Sequence, residues 1–228
     1  MLFIYNTIVG GGASKHFDLI AKERLFVGVD MRILHIGDAI PDLRVFSHLL
    51  LTGSELSASQ GSEYDESIFE VIDHFVNSQK AVYGICHGHQ MLARFLAGDE
   101  CCRRAIVPEF GFKRMTITDD ELFGGIDNPV FLESRYDEVI DLPDDFQIIA
   151  HNELEAVQAF RYKNLPIWGT QFHPEFLRED GDVMLEKHLL ENPQDRRYYR
   201  DDWVGEFVGE SLKIFENFLG GKCEIVKL

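Results

Sequence analysis

The stretch KAVYGICHGHQMLARFLAG, residues 80–98, decides how the rest of the chain is read. Lys80 to Ile85 is a short apolar run of the kind that forms a buried strand. Gly88 to Ala97 has Met91, Leu92 and Phe95 at helical spacing, with Gly98 placed to end the helix. Between the two the chain must turn abruptly, and Cys86 stands at that turn with Gly84 before it and Gly88 after it. A strand, a sharp turn and a helix with a nucleophile at the turn is the layout of a nucleophile elbow. There the side chain projects from the carboxyl edge of a sheet and glycines let backbone pass close by. A helix N-terminus also stabilises a thiolate.

Outward from this elbow the pattern repeats. Leu2 to Val9 reads as a first strand, and Ser14 to Leu25 as a helix with Ser14 as N-cap. Met31 to Ile36 and Val45 to Leu51 read as further strands, and the loop Thr52 to Gly61 follows. From Tyr64 to Asn77 the residues Ile68, Val71, Ile72 and Phe75 mark an amphipathic helix. Strands alternating with helices predict a parallel sheet covered on both faces. Between Arg104 and Ile149 the pattern shifts to short strands and turns, an antiparallel excursion, and the sheet resumes at Ala156 to Tyr162 and Pro166 to Gln171. Helices are predicted over Asp182 to Leu190 and Trp203 to Phe218, joined by the charged, aromatic segment 191–202. Gly10 to Gly12 lack the spacing and the Lys-Ser/Thr of a phosphate loop and read as a flexible loop at the rim of the site.

The 228 residues suit one domain, residues 1–228, with a helical tail from about 179 onward. The N-terminal apolar run is too short to span a membrane and lacks a basic leader, so the expected location is cytoplasmic. The four cysteines follow neither a disulfide framework nor paired zinc-ligand spacing, which fits a reducing compartment. With 39 acidic against 22 basic residues the formal charge is −17, a surface that repels phosphate backbones and anionic lipids and is compatible with a partner protein bearing a basic face.

The second chemical signal is QFHPE, residues 171–175: a strand that ends at His173, with Glu175 two residues on. A histidine that takes a thiol proton needs a carboxylate on its other nitrogen, and Glu175 is the nearest candidate. Together, GICHGHQ and HPE make the chain resemble the class I glutamine amidotransferases, which carry GxCxGxQ and a later HPE in this order. LLLTGSELSAS resembles the family's oxyanion-loop strand, VPEFGF its Glu-x-Gly-aromatic segment, and SRYDEVIDLPDDFQIIAHNE its Ser-His-x-Asp-x-Val stretch.

The resemblance implies an α/β, flavodoxin-like three-layer sandwich with a mostly parallel central sheet and a small antiparallel excursion. It implies a Cys86–His173–Glu175 triad that releases ammonia from glutamine, oxyanion donors at Ser54 and His87, and substrate contacts at Gly53 and Gln90. No metal or cofactor is expected, and ammonia would pass to a separate synthetase chain. A γ-glutamyl peptidase or hydrolase using the same triad, and a non-catalytic module of the same fold, stay open as alternatives. Two departures stand out. Gly53-Ser54-Glu55 lacks the proline usual in the family loop, so a looser loop is expected, and Arg135 replaces the usual histidine, leaving Asp137 as a structural capping residue.

Overall fold

The computed structural model describes residues 1–203 and 210–220. Its centre is an eight-stranded sheet. Five neighbouring strands are parallel, in the spatial order β2 (Met31–His35), β1 (Leu2–Asn6), β3 (His48–Leu51), β4 (Ala81–Ile85) and β10 (Ile167–Thr170). This is the 2-1-3-4-5 order of flavodoxin-like sheets, in which sites form beyond the carboxyl ends of the strands. Beyond β10, strands β9 (Ala159–Tyr162), β8 (Phe146–His151) and β6 (Thr116–Ile117) continue the sheet antiparallel.

Alternation along β1 sorts the core. Leu2 and Ile4 point to one face, where Phe17 and Ile20 of α1 (Gly11–Ile20) meet Phe215 and Phe218 of α5 (Lys213–Phe218). Phe3 and Tyr5 point to the other, against Ile68, Val71, Ile72 and Phe75 of α2 (Asp65–Asn77) and Met91 and Leu92 of α3 (His87–Ala97). Each of these fully buried side chains contributes about 1.5–3 kcal/mol of transfer free energy. The three layers follow from period-2 strands and period-3.6 helices presenting apolar faces to one another.

Several boundaries differ from the sequence reading. Helix α1 starts at Gly11 with Gly10 as N-cap, and the Ser14 amide already donates to the Gly10 carbonyl at 2.8 Å. Ser14 is therefore inside the helix, and Gly11 and Gly12 form its first turn rather than a loop. Leu43–Val45 is a 3-10 turn capped by Asp42, so β3 is confined to His48–Leu51.

The largest difference lies in 102–139. Instead of several short strands, β5 (Cys102–Arg114) and β7 (Val130–Val139) form one long antiparallel ribbon apart from the main sheet. A register shift between Arg104 and Glu109 leaves Ile106 81% exposed, which breaks the alternation that would have marked a single long strand. β8, placed within the excursion by the sequence, belongs to the central sheet.

Helix α4 (Arg178–Glu191) is longer than expected, and with residues 193–203 it covers the ribbon through Leu185, Met184, Tyr198, Tyr199 and Trp203. Gly111 has φ +114, and a Cβ there would lie 1.9 Å from the Arg200 carbonyl oxygen; only glycine lets this segment lie on β5. Of the helix expected over Trp203–Phe218, residues 204–209 lie outside the described residues, and the remainder is a 3-10 turn, Glu210–Leu212, followed by α5. No helix among the described residues is long and apolar enough to cross a membrane.

Candidate active site

Cys86 sits between β4 and α3 with φ +49 and ψ −105, a conformation that costs a non-glycine residue about 1–3 kcal/mol. The surroundings enforce it. The Cys86 amide donates to the Thr170 carbonyl of β10 at 2.8 Å, and the Gly88 amide to the Thr52 carbonyl at 3.1 Å. A Cβ on Gly84 would lie 2.5 Å from the Gly88 carbonyl oxygen, and one on Gly88 2.6 Å from that of Leu51. Both motif glycines are thus places where backbone meets backbone.

β10 delivers the rest of the centre. His173 is fixed by its amide, which donates to the Leu132 carbonyl on β7 at 2.8 Å, and by Phe172 before it, stacked on Phe131 with ring centroids 4.1 Å apart. Its Nδ1 lies 2.8 Å from Oε1 of the buried Glu175. Burial alone would lower the basicity of His173, but Glu175 and the adjacent, hydrogen-bonding Cys86 outweigh it and hold the imidazole well above its usual range. The Nδ1–Glu175 contact leaves Nε2 to face the thiol. A Cβ on Gly53 would come within 2.9 Å of His173 Cε1, so this loop closes directly over the pair.

These groups line one cavity of about 610 Å³. Its floor holds Gly53, Ser54, Cys86, Gln90, His173 and Glu175, and its outer wall is made by α1 and α4 with Phe176, Val183 and Met184.

Residues 39–192 match the family model described as glutamine amidotransferase class-I. The chain belongs to that family. It is 30% identical over 183 residues to the glutamine-hydrolysing GMP synthase subunit of Sulfurisphaera tokodaii, covering 79% of this chain and 94% of that one. The protein of the same name from Pyrococcus abyssi is 31% identical over 183 residues, covering 78% and 94%. A solved glutamine amidotransferase from Methylobacillus flagellatus superposes with a TM-score of 0.71 at 18% identity, covering all of this chain and 96% of the other, which shows a shared fold.

Within this amidotransferase the expected positions separate into distinct environments. Neither the Ser54 nor the His87 amide donates to a protein acceptor among the described residues. The Ser54 hydroxyl is occupied elsewhere, donating to the Thr7 carbonyl at 2.6 Å and accepting from the Leu56 amide at 3.2 Å. Glu55 accepts from the Val9 amide, and Thr7 donates to the Gly53 carbonyl. Side-chain hydrogen bonds therefore brace the loop that lacks the family proline. The His87 ring is fully buried and burial lowers it to about 4, so the ring is no candidate base. His89 packs on the Phe160 ring, and burial lowers it to about 3, as suits a packing residue.

Asp137 caps no helix: it accepts from the Ser57 hydroxyl at 2.6 Å and the Ser59 amide at 3.1 Å, tying the loop after Ser54 to β7. Arg135 lines the cavity with its side chain buried and paired with Glu109 and Glu155. Sequence reasoning gave no role to Gln171, Glu133, Phe176 or Met184. Gln171 stood inside a quoted motif, and the others carried no local signal.

Proposed function

We propose that the protein hydrolyses the side-chain amide of glutamine through Cys86. The Cys86 sulfur attacks the amide carbon and the C=O electrons move to oxygen, whose charge meets the Ser54 and His87 amides. Such donors contribute about 3–4 kcal/mol each to the transition state. His173, protonated and held by Glu175, gives its Nε2 proton to the nitrogen as the C–N bond breaks, and ammonia leaves. Water then gives a proton to His173 and attacks the γ-glutamyl thioester, releasing glutamate and the thiol. Gln90 and Gly53 contact the substrate.

What carries this reading is the strained Cys86 and the His173–Glu175 contact, which line one cavity with Ser54. The names of the relatives support ammonia transfer to a separate synthetase chain. The same reading has residues 1–228 acting as one cytoplasmic domain, supported by one central sheet and three free cysteines among the described residues.

The apolar outer wall of Phe176, Val183 and Met184 favours a second reading, a γ-glutamyl hydrolase taking larger amides. Purified protein assayed with glutamine and with γ-glutamyl dipeptides separates the two. Glutamine turnover lost in Cys86→Ser supports the first, dipeptide turnover alone supports the second, and no turnover of either overturns both.

A further inference from the structure

We propose that Gln171 is a further catalytic residue, donating a hydrogen bond to the Cys86 sulfur and linking that sulfur to the substrate-contacting Gln90. The inference rests on the glutamine-hydrolysing reading of the same site. Gln171 Nε2 lies 3.5 Å from Cys86 Sγ. Its Oε1 accepts from Gln90 Nε2 at 2.8 Å, and the same Gln90 Nε2 donates to the Asp137 carbonyl oxygen at 3.2 Å.

The direction of this chain is determined by one atom. A backbone carbonyl can only accept, so Gln90 must present its NH2 group to Asp137. Gln171 must then present oxygen to Gln90, and its own NH2 is left for sulfur. The Gln171 amide in turn donates to the Gln158 carbonyl at 2.8 Å, and the side chain is fully buried, so rotation away would strand its polar atoms. The donor at sulfur is thus built in before substrate arrives.

A hydrogen bond to a thiolate is charge-assisted and stronger than one to a thiol, so Gln171 favours the reactive form. His173 meets the sulfur as a proton partner, whereas Gln171 cannot exchange a proton and so stays a donor through both half-reactions. The Gln90 carbonyl oxygen is the end of the chain that faces the cavity. A substrate α-ammonium donating there would polarise Gln90 and then Gln171, strengthening the contact at sulfur when the cavity is filled.

The test compares wild type with Gln171→Glu, which keeps the shape but removes the NH2 donor, and Gln171→Leu. Alkylation of the Cys86 peptide by iodoacetamide is followed by mass spectrometry at pH 7 and pH 10, without glutamine. In both variants the rate at pH 7 is expected to fall about 10-fold or more while that at pH 10 stays within about 2-fold, and kcat for glutamine to fall about 10- to 100-fold. An unchanged pH 7 to pH 10 ratio with kcat within about 2-fold overturns the proposal. Thermal melts report folding. Should both variants be unfolded, Gln90→Met, which removes the group that orients Gln171, is expected to lower the pH 7 rate in the same direction, and an unchanged rate there overturns it. A wild type that turns over no glutamine sinks the functional reading instead, while the alkylation comparison still decides the contact at sulfur.

Discussion

On one wall of the cavity, Cys86 and His173 stand at the ends of β4 and β10, positioned by backbone: motif glycines in van der Waals contact with neighbouring carbonyls, and amides donating across strands. On the other wall, the β5–β7 ribbon is positioned by buried polar side chains around one arginine. Arg135 is enclosed by Glu109 and Glu155, with Glu138 3.9 Å away, and Glu133 is fully buried nearby with neither carboxyl oxygen hydrogen-bonded. Burial, with Glu109 and Glu155 close by, holds Glu133 well above the usual carboxylate range, and burial pushes Glu155 up to about 8. The first wall places atoms for chemistry and is rigid because backbone packing is unforgiving. The second lines the far side of the cavity, and its stability depends on protonation.

The sharpest break between the walls is Cys86→Ser, which is expected to lower glutamine turnover at least about 10⁴-fold with the urea-unfolding midpoint nearly unchanged. Arg135→Met strikes the other wall. It strands the buried Glu109 carboxylate, and urea unfolding should show a loss of about 3–5 kcal/mol. Gly88→Ala probes backbone packing, since the new Cβ meets the Leu51 carbonyl. A loss of about 1–3 kcal/mol in the same assay is expected, together with a drop in kcat as Cys86 shifts.

Glu155→Gln is the smallest and most diagnostic change. The folded protein holds a proton on Glu155 up to about pH 8, whereas the unfolded chain releases it near 4.5, so this group's contribution to stability is full below 4.5 and declines as pH rises toward 8. The glutamine variant lacks that decline. Its stability relative to wild type should improve by at least about 1 kcal/mol between pH 5 and pH 8, read from unfolding curves at both.

How much was legible follows the same division. GICHGHQ and QFHPE announced the first wall because backbone constraints leave glycines and a histidine at fixed spacing, and the parallel strands were readable from short apolar runs or, over Met31 to Ile36, from alternation. The ribbon was not. Its bulge at Ile106 disrupts the alternation, and Glu109, Glu133, Arg135 and Glu155, scattered over almost 50 residues, look like solvated surface charges until folding brings them together. Helix α4 was started too late because its first turn, Arg178, Glu179 and Asp180, is charged and carries no apolar periodicity. The role of Gln171 was invisible for another reason: its partners Cys86 and Gln90 lie more than 80 residues away along the chain.

Rapid acid quenching of the protein during turnover of radiolabelled glutamine, followed by peptide mapping, interrogates the centre directly. Label is expected as a thioester on the peptide carrying Cys86, released by hydroxylamine and absent from Cys86→Ser. Turnover that proceeds without label on Cys86 and persists in Cys86→Ser would contradict that expectation.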